Sequence, residues 1–331
     1  MRNERGGIFG PQAVDASHGH GPAIAAALTD PLVIEVMVNP DGALRLDRLG
    51  SGRLDTGAVL LPEQVERIIR LVASHARTEV HGGAPIVSAE LPSHGDGLAG
   101  ERFEGLLPPV ATGPCFSIRK HASRIYTLAD YVNDGIMSAE VARLLSLAVV
   151  GRRNILVAGG TSTGKTTLAN ALLAELGPLD ERVILIEDTR ELQCAAPDTV
   201  ALRTRPGVVT MADLVRSTLR LRPDRIIVGE VRGGEALDML KAWNTGHPGG
   251  IATVHANSAR SALYRLEQLI QEAVVAVPRP LIADAISLIV FIDGRGAARR
   301  IAGIECVQGL DSAGDYALEP AAPGQFNPAG E

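Results

Sequence analysis

Residues 159–166 read Gly159-Gly160-Thr161-Ser162-Thr163-Gly164-Lys165-Thr166, and no other stretch narrows the fold of this chain so far. Glycine opens and closes the loop, so the backbone can curl until successive N–H groups point inward, a concavity that suits an anion. Lys165 then adds a long cationic arm, and Thr166 a hydroxyl suited to Mg2+. The flanks matter as much as the spelling. Ile155–Ala158 is an apolar run of strand length, and Thr167–Glu175 spaces Leu and Ala as a helix does. A Gly/Ser/Thr turn matching by chance would have neither flank. The strand–loop–helix unit predicts a nucleotide site in which Gly159, Gly160, Thr161, Ser162, Thr163, Gly164, Lys165, Thr166 and Thr167 surround the phosphates of ATP, with Thr166 ligating Mg2+.

Such a unit belongs in a sheet of parallel strands, and the surrounding sequence supplies one. From Leu128 onward the chain alternates a helix over Ala139–Val149, the strand Ile155–Ala158, the helix after Lys165, a strand Val183–Glu187, a helix near Ala212–Leu219 and a strand Arg225–Gly229. This alternation predicts an α/β fold with a mostly parallel sheet and helices on both faces. The preceding part has another pattern. Leu32–Val38, the turn Asn39-Pro40-Asp41-Gly42 and then Leu44, Leu46 and Leu49 predict a β-hairpin. Pro62 opens an amphipathic helix carrying Val65, Ile68, Ile69 and Val72. The stretch 82–100 is loop-like, and Arg102–Leu106 and Cys115–Ile118 read as two strands joined through Pro108-Pro109. The expected organisation is a disordered N-terminus over 1–24, a smaller mixed α/β domain over 25–122, a nucleotide-binding domain over 123–308 and a disordered Gly/Pro/Ala-rich tail over 309–331. The domain boundary falls near His121–Ser123.

Two later segments place acids at the ends of apolar strands. Ile226–Val228 leads into Gly229-Glu230, where a carboxylate can reach Mg2+ through a water and polarise the water that attacks a γ-phosphate. Val183–Ile186 leads into Glu187-Asp188-Thr189-Arg190-Glu191, at the edge where an α/β sheet presents its ligands. Glu187 reads as functional. Asp188 and Glu191 suit equally the ordering of metal-bound waters, the capping of a following helix, or pairing with Arg190.

Together these segments resemble the ATPase superfamily that drives type IV secretion, type II secretion and type IV pili, over about Leu32 to Val307. The most specific piece is Thr245-Gly246-His247-Pro248-Gly249-Gly250-Ile251-Ala252-Thr253-Val254-His255-Ala256-Asn257-Ser258-Ala259, which looks like the family's His box. Residues 187–191 look like its Asp box, and Leu221 to Arg232 like its Walker B segment, here ending in Glu230. The wording of Val33–Gly42 and of the His box is nearest the conjugal-transfer branch. The resemblance implies a RecA-like P-loop NTPase domain and a homohexamer with one nucleotide at each junction between N- and C-terminal domains. It implies ATP hydrolysis, conjugation or type IV secretion partners, and a peripheral location on the cytoplasmic face of the inner membrane. It also implies that Arg102 and Arg119 reach the phosphates and that His255 senses the γ-phosphate. A guanidinium can stabilise charge on a transferring phosphoryl group, although strand-edge arginines are often simply solvated. His247 reads as shaping its loop.

Composition trims the alternatives. With 32 basic against 38 acidic residues, the net charge of −6 does not suit a surface holding DNA along its length. Arg203, Arg205, Arg216, Arg220, Arg222 and Arg225 lack interleaved aromatics and alternate with acids and apolar residues, so ion pairs or ring-interface contacts are expected rather than sequence-specific nucleic-acid binding. Cys115, Cys194 and Cys306 lack metal-ligand spacing and read as free thiols of a reducing cytoplasm, which counts against the zinc-bearing type II branch. The first twenty residues have no apolar core, predicting no signal peptide, and no apolar run approaches the roughly 20 residues a membrane span requires. A pilus or type II secretion motor, a P-loop small-molecule kinase and a non-catalytic ATP-binding scaffold are the competing functions. No compact lid follows Glu230, as a kinase would need, and Lys165, Thr166 and Glu230 argue against the scaffold.

Overall fold

The computed structural model describes residues 21–49, 51–92, 100–120, 125–205, 207–322 and 326, and the chain divides into two units, Met1–Ser123 and Arg124–Glu331. The first unit contains α1 (Gly21–Thr29), β1 (Val33–Val38), β2 (Ala43–Arg48), β3 (Gly52–Val59), α2 (Pro62–Ala76), β4 (Ile86–Glu90), β5 (Arg102–Leu106) and β6 (Cys115–Arg119). Its strands form an antiparallel sheet in the order β3-β2-β1-β6-β5-β4. The β1–β2 turn needs a glycine: Gly42 has φ 76°, and a Cβ there would meet the Leu60 carbonyl oxygen at 2.2 Å. The helices bring Ile24 and Leu28, with Val65, Ile69 and Val72, to a core shared with Val36, Val38, Leu44, Phe103, Phe116 and Ile118. β3 is the outer edge, with nearly every side chain exposed.

The second unit contains α3 (Leu128–Asn133), α4 (Ala139–Val150), β7 (Ile155–Gly159), α5 (Lys165–Ala174), β8 (Arg182–Glu187), β9 (Asp198–Arg203), α6 (Met211–Thr218), β10 (Arg225–Val228), α7 (Glu235–Asn244), β11 (Ile251–His255), α8 (Ala259–Gln271), α9 (Arg279–Ala285), β12 (Leu288–Asp293), β13 (Arg300–Leu310) and β14 (Tyr316–Pro320). The sheet order is β14-β13-β12-β7-β11-β10-β8-β9. Neighbours from β12 to β9 run parallel, while β13 and β14 are antiparallel. The inner parallel strands β7, β8 and β10 are buried on both faces, so they read as continuous apolar runs rather than alternating ones. Strand periodicity divides them between two cores. Leu156, Ala158, Ile184, Ile186, Ile226 and Val228 face α6, α7 and α8, whereas Ile155, Val157, Val183, Leu185 and Ile227 face α4 and α5. The structure is α/β, as the alternation predicted.

Several expectations need correction. The stretch 82–100 includes β4, paired residue for residue with β5 from Ile86↔Leu106 to Glu90↔Arg102. The stretch 1–24 includes the start of α1, whose Ile24 is fully buried. The tail 309–331 carries β14, which pairs with β13 through Cys306↔Glu319 and Val307↔Leu318. Its anchor is Tyr316, 1% exposed and edge-on to Tyr264 at 6.0 Å between ring centres. Gly309 and Gly314, with φ of 110° and 79°, bend and turn this hairpin, so glycine content here marks geometry rather than disorder. Residues 1–20, 93–99, 323–325 and 327–331, and the expected boundary at His121–Ser123, lie outside the described residues.

One buried amide ties the lower end of β7 to its neighbours. Asn154, 6% exposed, accepts the Gly249 and Gly250 N–H groups on Oδ1 at 2.7 and 2.9 Å and donates to the Ala285 carbonyl at 2.7 Å. Removing it strands two buried backbone donors. Asn154→Ala is expected to cost about 3 kcal/mol of unfolding free energy, read from the urea transition of the full chain, while Asn154→Asp should cost less at the two N–H contacts.

Candidate active site

The parallel pairing converges on the carboxyl end of β7. Gly159 lies in register with His255 at the end of β11 and with Ile292 near the end of β12. The tightness there requires glycine: a Cβ on Gly159 would meet the Ile292 carbonyl oxygen at 2.5 Å and Thr163 Oγ1 at 2.7 Å. From Gly159 the loop curls through Ser162 (φ 63°) and Gly164 (φ 96°) into α5. Thr163 Oγ1 donates back to the Gly160 carbonyl at 3.0 Å, bracing the turn from within. Gly164 caps α5 without any side-chain hydrogen bond, which leaves the first-turn N–H groups of that helix without a side-chain cap. Gly159, Thr163 and Lys165 are buried, Gly160, Gly164, Thr166 and Thr167 half-buried, and Thr161 and Ser162 exposed.

A line of polar side chains crosses this edge. Lys165 Nζ donates to the Gly160 carbonyl at 3.0 Å and lies 3.2 Å from His255 Nδ1. An ammonium only donates, so Nδ1 accepts and the ring proton is assigned to Nε2. His255 Nε2 approaches Glu230 Oε1 to 2.8 Å without hydrogen-bond alignment, and Oε1 remains buried and without a hydrogen-bond partner among the described residues. Glu230 Oε2 accepts from Arg232 Nη2, and Arg232 also lies 3.7 Å from Asp188. Burial first, then the Lys165 charge, hold the His255 imidazole below its ordinary pKa, with Glu230 pulling the other way. The ring is therefore neutral at neutral pH, in keeping with the tautomer that Lys165 requires.

Glu187 ends β8 beside this line. It is 3% exposed, and burial pushes its carboxyl up to about 7, against the pull of the Glu191 and Leu192 N–H groups that Oε1 accepts at 2.9 and 2.8 Å. Gly229 makes room for it, since a Cβ there would lie 3.0 Å from Glu187 Cγ. No helix follows residues 187–191, so the acids cap none. Asp188 instead accepts the Thr204 hydroxyl at 2.9 Å, and Asn170 donates to the Glu191 carbonyl at 3.0 Å.

The phosphate loop, Glu187, Glu230 and His255 are thus gathered within the second unit. Arg102 and Arg119 belong to the first, directly opposite each other on β5 and β6, with Glu35 opposite Arg119 on β1. The sequence also left Arg232 unassigned, although its place two residues after Glu230 is the signal that could have marked it. His247 holds its loop, as expected, with Nδ1 3.0 Å from the Pro223 carbonyl. Of the flagged arginines, Arg225 is fully buried on Glu181, with Nη1 donating to the Val149 carbonyl at 2.8 Å, and Arg216 pairs with Asp238 at 2.8 Å. These are ion pairs within the chain.

The residues present fit a nucleotide with a divalent cation: an uncapped helix start behind a glycine loop, an adjoining threonine hydroxyl, and the buried Glu230 Oε1, beside His255 but without a hydrogen-bond partner among the described residues. Among the described residues no group of three or more His, Cys, Asp or Glu side chains could itself hold a metal ion. No helix among the described residues is long and apolar enough to cross a membrane.

Comparison with known proteins bears on this arrangement. The family model described as type II/IV secretion system protein matches residues 52–293. The chain belongs to that family. Among its secretion-family relatives, the conjugal transfer protein TrbB of Rhizobium radiobacter is 48% identical over 87% of this chain and 88% of its own length. The type IV secretion system protein PtlH of Bordetella pertussis is 35% identical over 84% of this chain and 91% of its own. The crystal structure of the pilus retraction motor PilT with bound ADP shares the fold, with a TM-score of 0.62 and 19% identity over 93% of this chain and 84% of that one.

The raised Glu187 pKa has a measurable consequence for this family member. Between the ordinary carboxylate pKa of 4.5 and about 7 the unfolded chain ionises at this residue while the folded chain does not, so stability falls as pH rises through that window and is level above it. Glu187→Gln keeps an oxygen for the two N–H groups and removes the charge. Its unfolding temperature is expected to gain on the wild type from pH 4.5 to 7, with at most about 3 kcal/mol separating them above pH 7. Parallel thermal melts of the two proteins across that range check the trend.

Proposed function

We propose that this chain is a RecA-like ATPase that powers a type IV secretion apparatus for conjugative DNA transfer. In this reading it works as a homohexameric ring with other conjugation components on the cytoplasmic face of the inner membrane. The observation that carries the reading is the contiguous line Lys165–His255–Glu230 beside an uncapped helix start, in a chain nearly half identical to a conjugal transfer protein.

The chemistry follows from those contacts. Loop and helix N–H groups bind the phosphates, and the Lys165 ammonium exchanges the Gly160 carbonyl for phosphate oxygens. Mg2+, when bound at Thr166, supplies neutralisation of the phosphate charge. Glu230 Oε1, buried and without a hydrogen-bond partner among the described residues although His255 Nε2 lies 2.8 Å away, accepts a hydrogen bond from water and aims it at the γ-phosphate. Loss of the Lys165 contact alters what His255 touches, so the state of the phosphates is felt at β11, one strand from Glu230. Glu187, able to carry a proton near neutral pH, orders the same edge. Arg102 and Arg119, directly opposite each other on β5 and β6, carry guanidinium groups of the kind that stabilise charge on a transferring phosphoryl group.

The test is ATP hydrolysis by the purified chain beside Glu230→Gln, with light scattering on the same samples. Glu230→Gln should slow hydrolysis about 100-fold or more while retaining nucleotide and a six-subunit mass. Wild-type turnover in that variant, or phosphoryl transfer to a small acceptor by a monomer, would sink the reading. Arg102→Ala and Arg119→Ala should each slow hydrolysis about tenfold or more; an unchanged rate in both would remove the first unit from the chemistry.

A further inference from the structure

The turn between β12 and β13 delivers a second cation to the phosphate loop. β12 runs beside β7 to its end, and the chain then doubles back through Gly294 (φ 78°) and a 3-10 turn, Gly296–Ala298. The turn is close: a Cβ on Gly294 would meet the Ala298 carbonyl oxygen at 2.1 Å, and the Arg299 N–H bonds the Gly296 carbonyl at 3.2 Å. Arg300 forms an exposed ion pair with Asp293 at 3.0 Å. Arg299 is placed otherwise. Its guanidinium carbon lies 3.0 Å, and its Nε 3.1 Å, from where a Cβ on Gly164 would stand. The planar group therefore rests against the last glycine of the loop, in space that any other residue at 164 would fill.

Its hydrogen bonding is incomplete. Arg299 Nε is buried without a hydrogen-bond partner among the described residues, and so is the hydroxyl of fully buried Tyr131. The two are near enough for the Arg299 charge to offset part of the rise that burial imposes on the Tyr131 phenol. A guanidinium held at an anion-binding loop with a buried donor unused is arranged for a ligand. Lys165 Nζ turns toward Gly160 and His255, on the side of the terminal phosphates. Gly164, at the start of α5, lies where backbone N–H groups cradle the inner phosphates.

We propose that Arg299 is a nucleotide-binding residue that takes the α- and β-phosphates across Gly164 from Lys165. The proposal rests on the reading of this loop as an ATP site, and it adds a contact common to ATP and ADP.

The experiment titrates the full chain with fluorescent mant-ADP and with a non-hydrolysable mant-labelled ATP analogue. It compares wild type, Lys165→Ala, Arg299→Gln and Arg299→Lys, each with a thermal melt. Arg299→Gln is expected to weaken both nucleotides by the same factor, about tenfold or more, at an unchanged unfolding temperature. Arg299→Lys should recover part of the loss, because an ammonium keeps the charge without the fork geometry. Should Arg299→Gln melt early, Arg299→Lys is the reporter: binding of both nucleotides weakened about threefold supports the contact, and wild-type affinity overturns it. Wild-type affinity in a stable Arg299→Gln protein, or a loss confined to the ATP analogue, also overturns it. A wild-type chain that binds neither nucleotide fails the ATP-site reading instead, and is thereby distinguishable.

Discussion

The register of β7 between β11 and β12 is the constraint on which the rest of the site depends. Because Gly159 sits opposite both His255 and Ile292, the phosphate loop leaves the sheet with a histidine on one side and a tight turn on the other. A shift of one residue along β11 would turn every side chain of that strand to the opposite face and take His255 out of reach of Lys165. The clamp from Asn154 to Gly249, Gly250 and Ala285 holds the opposite end of the same three-stranded contact, so the register is fixed at both ends of β7.

Two glutamates on neighbouring strands show how environment assigns different chemistry to one residue type. Glu187 is nearly enclosed and accepts two backbone N–H groups, yet desolvation outweighs them and its carboxyl holds a proton to about pH 7. Glu230 is less enclosed, with one oxygen on Arg232 and the other beside His255. The first suits a group that can give or keep a proton, the second one that accepts from water.

The phosphate loop was readable from sequence because its requirements are local: glycines where φ is positive or a Cβ would collide, an apolar strand before and a helix after. Glu230 and Glu187 stood out because each lies at or just past the end of a buried strand and parallel sheets bring such ends together, whereas His255 stood out only through the resemblance of residues 245–259 to the family's His box. The misses share another cause. β14 and β4 lie at sheet edges, where each is only five residues long and set among Gly- and Pro-bearing turns, so their partners define them rather than their composition. Arg232 and Arg299 carry no pattern of their own. Arg299 reaches Gly164 only because β12 is paired to β7 and Gly294 turns the chain back, a long-range arrangement that spacing along the sequence does not encode.

The topology also has consequences for the order in which the molecule can be made. The six described strands of the first unit end by Arg119, so its sheet can close while the rest of the chain is still being synthesised. The second unit has no such freedom. The central strand β7 must wait about a hundred residues for β11 and longer for β12, leaving its apolar surface uncovered meanwhile. Newly made chain therefore passes through a stage in which the phosphate loop exists but the walls that shape it do not. Nucleotide can find its pocket only on a nearly finished protein, and the exposed β7 during that interval is where a chaperone would be needed most.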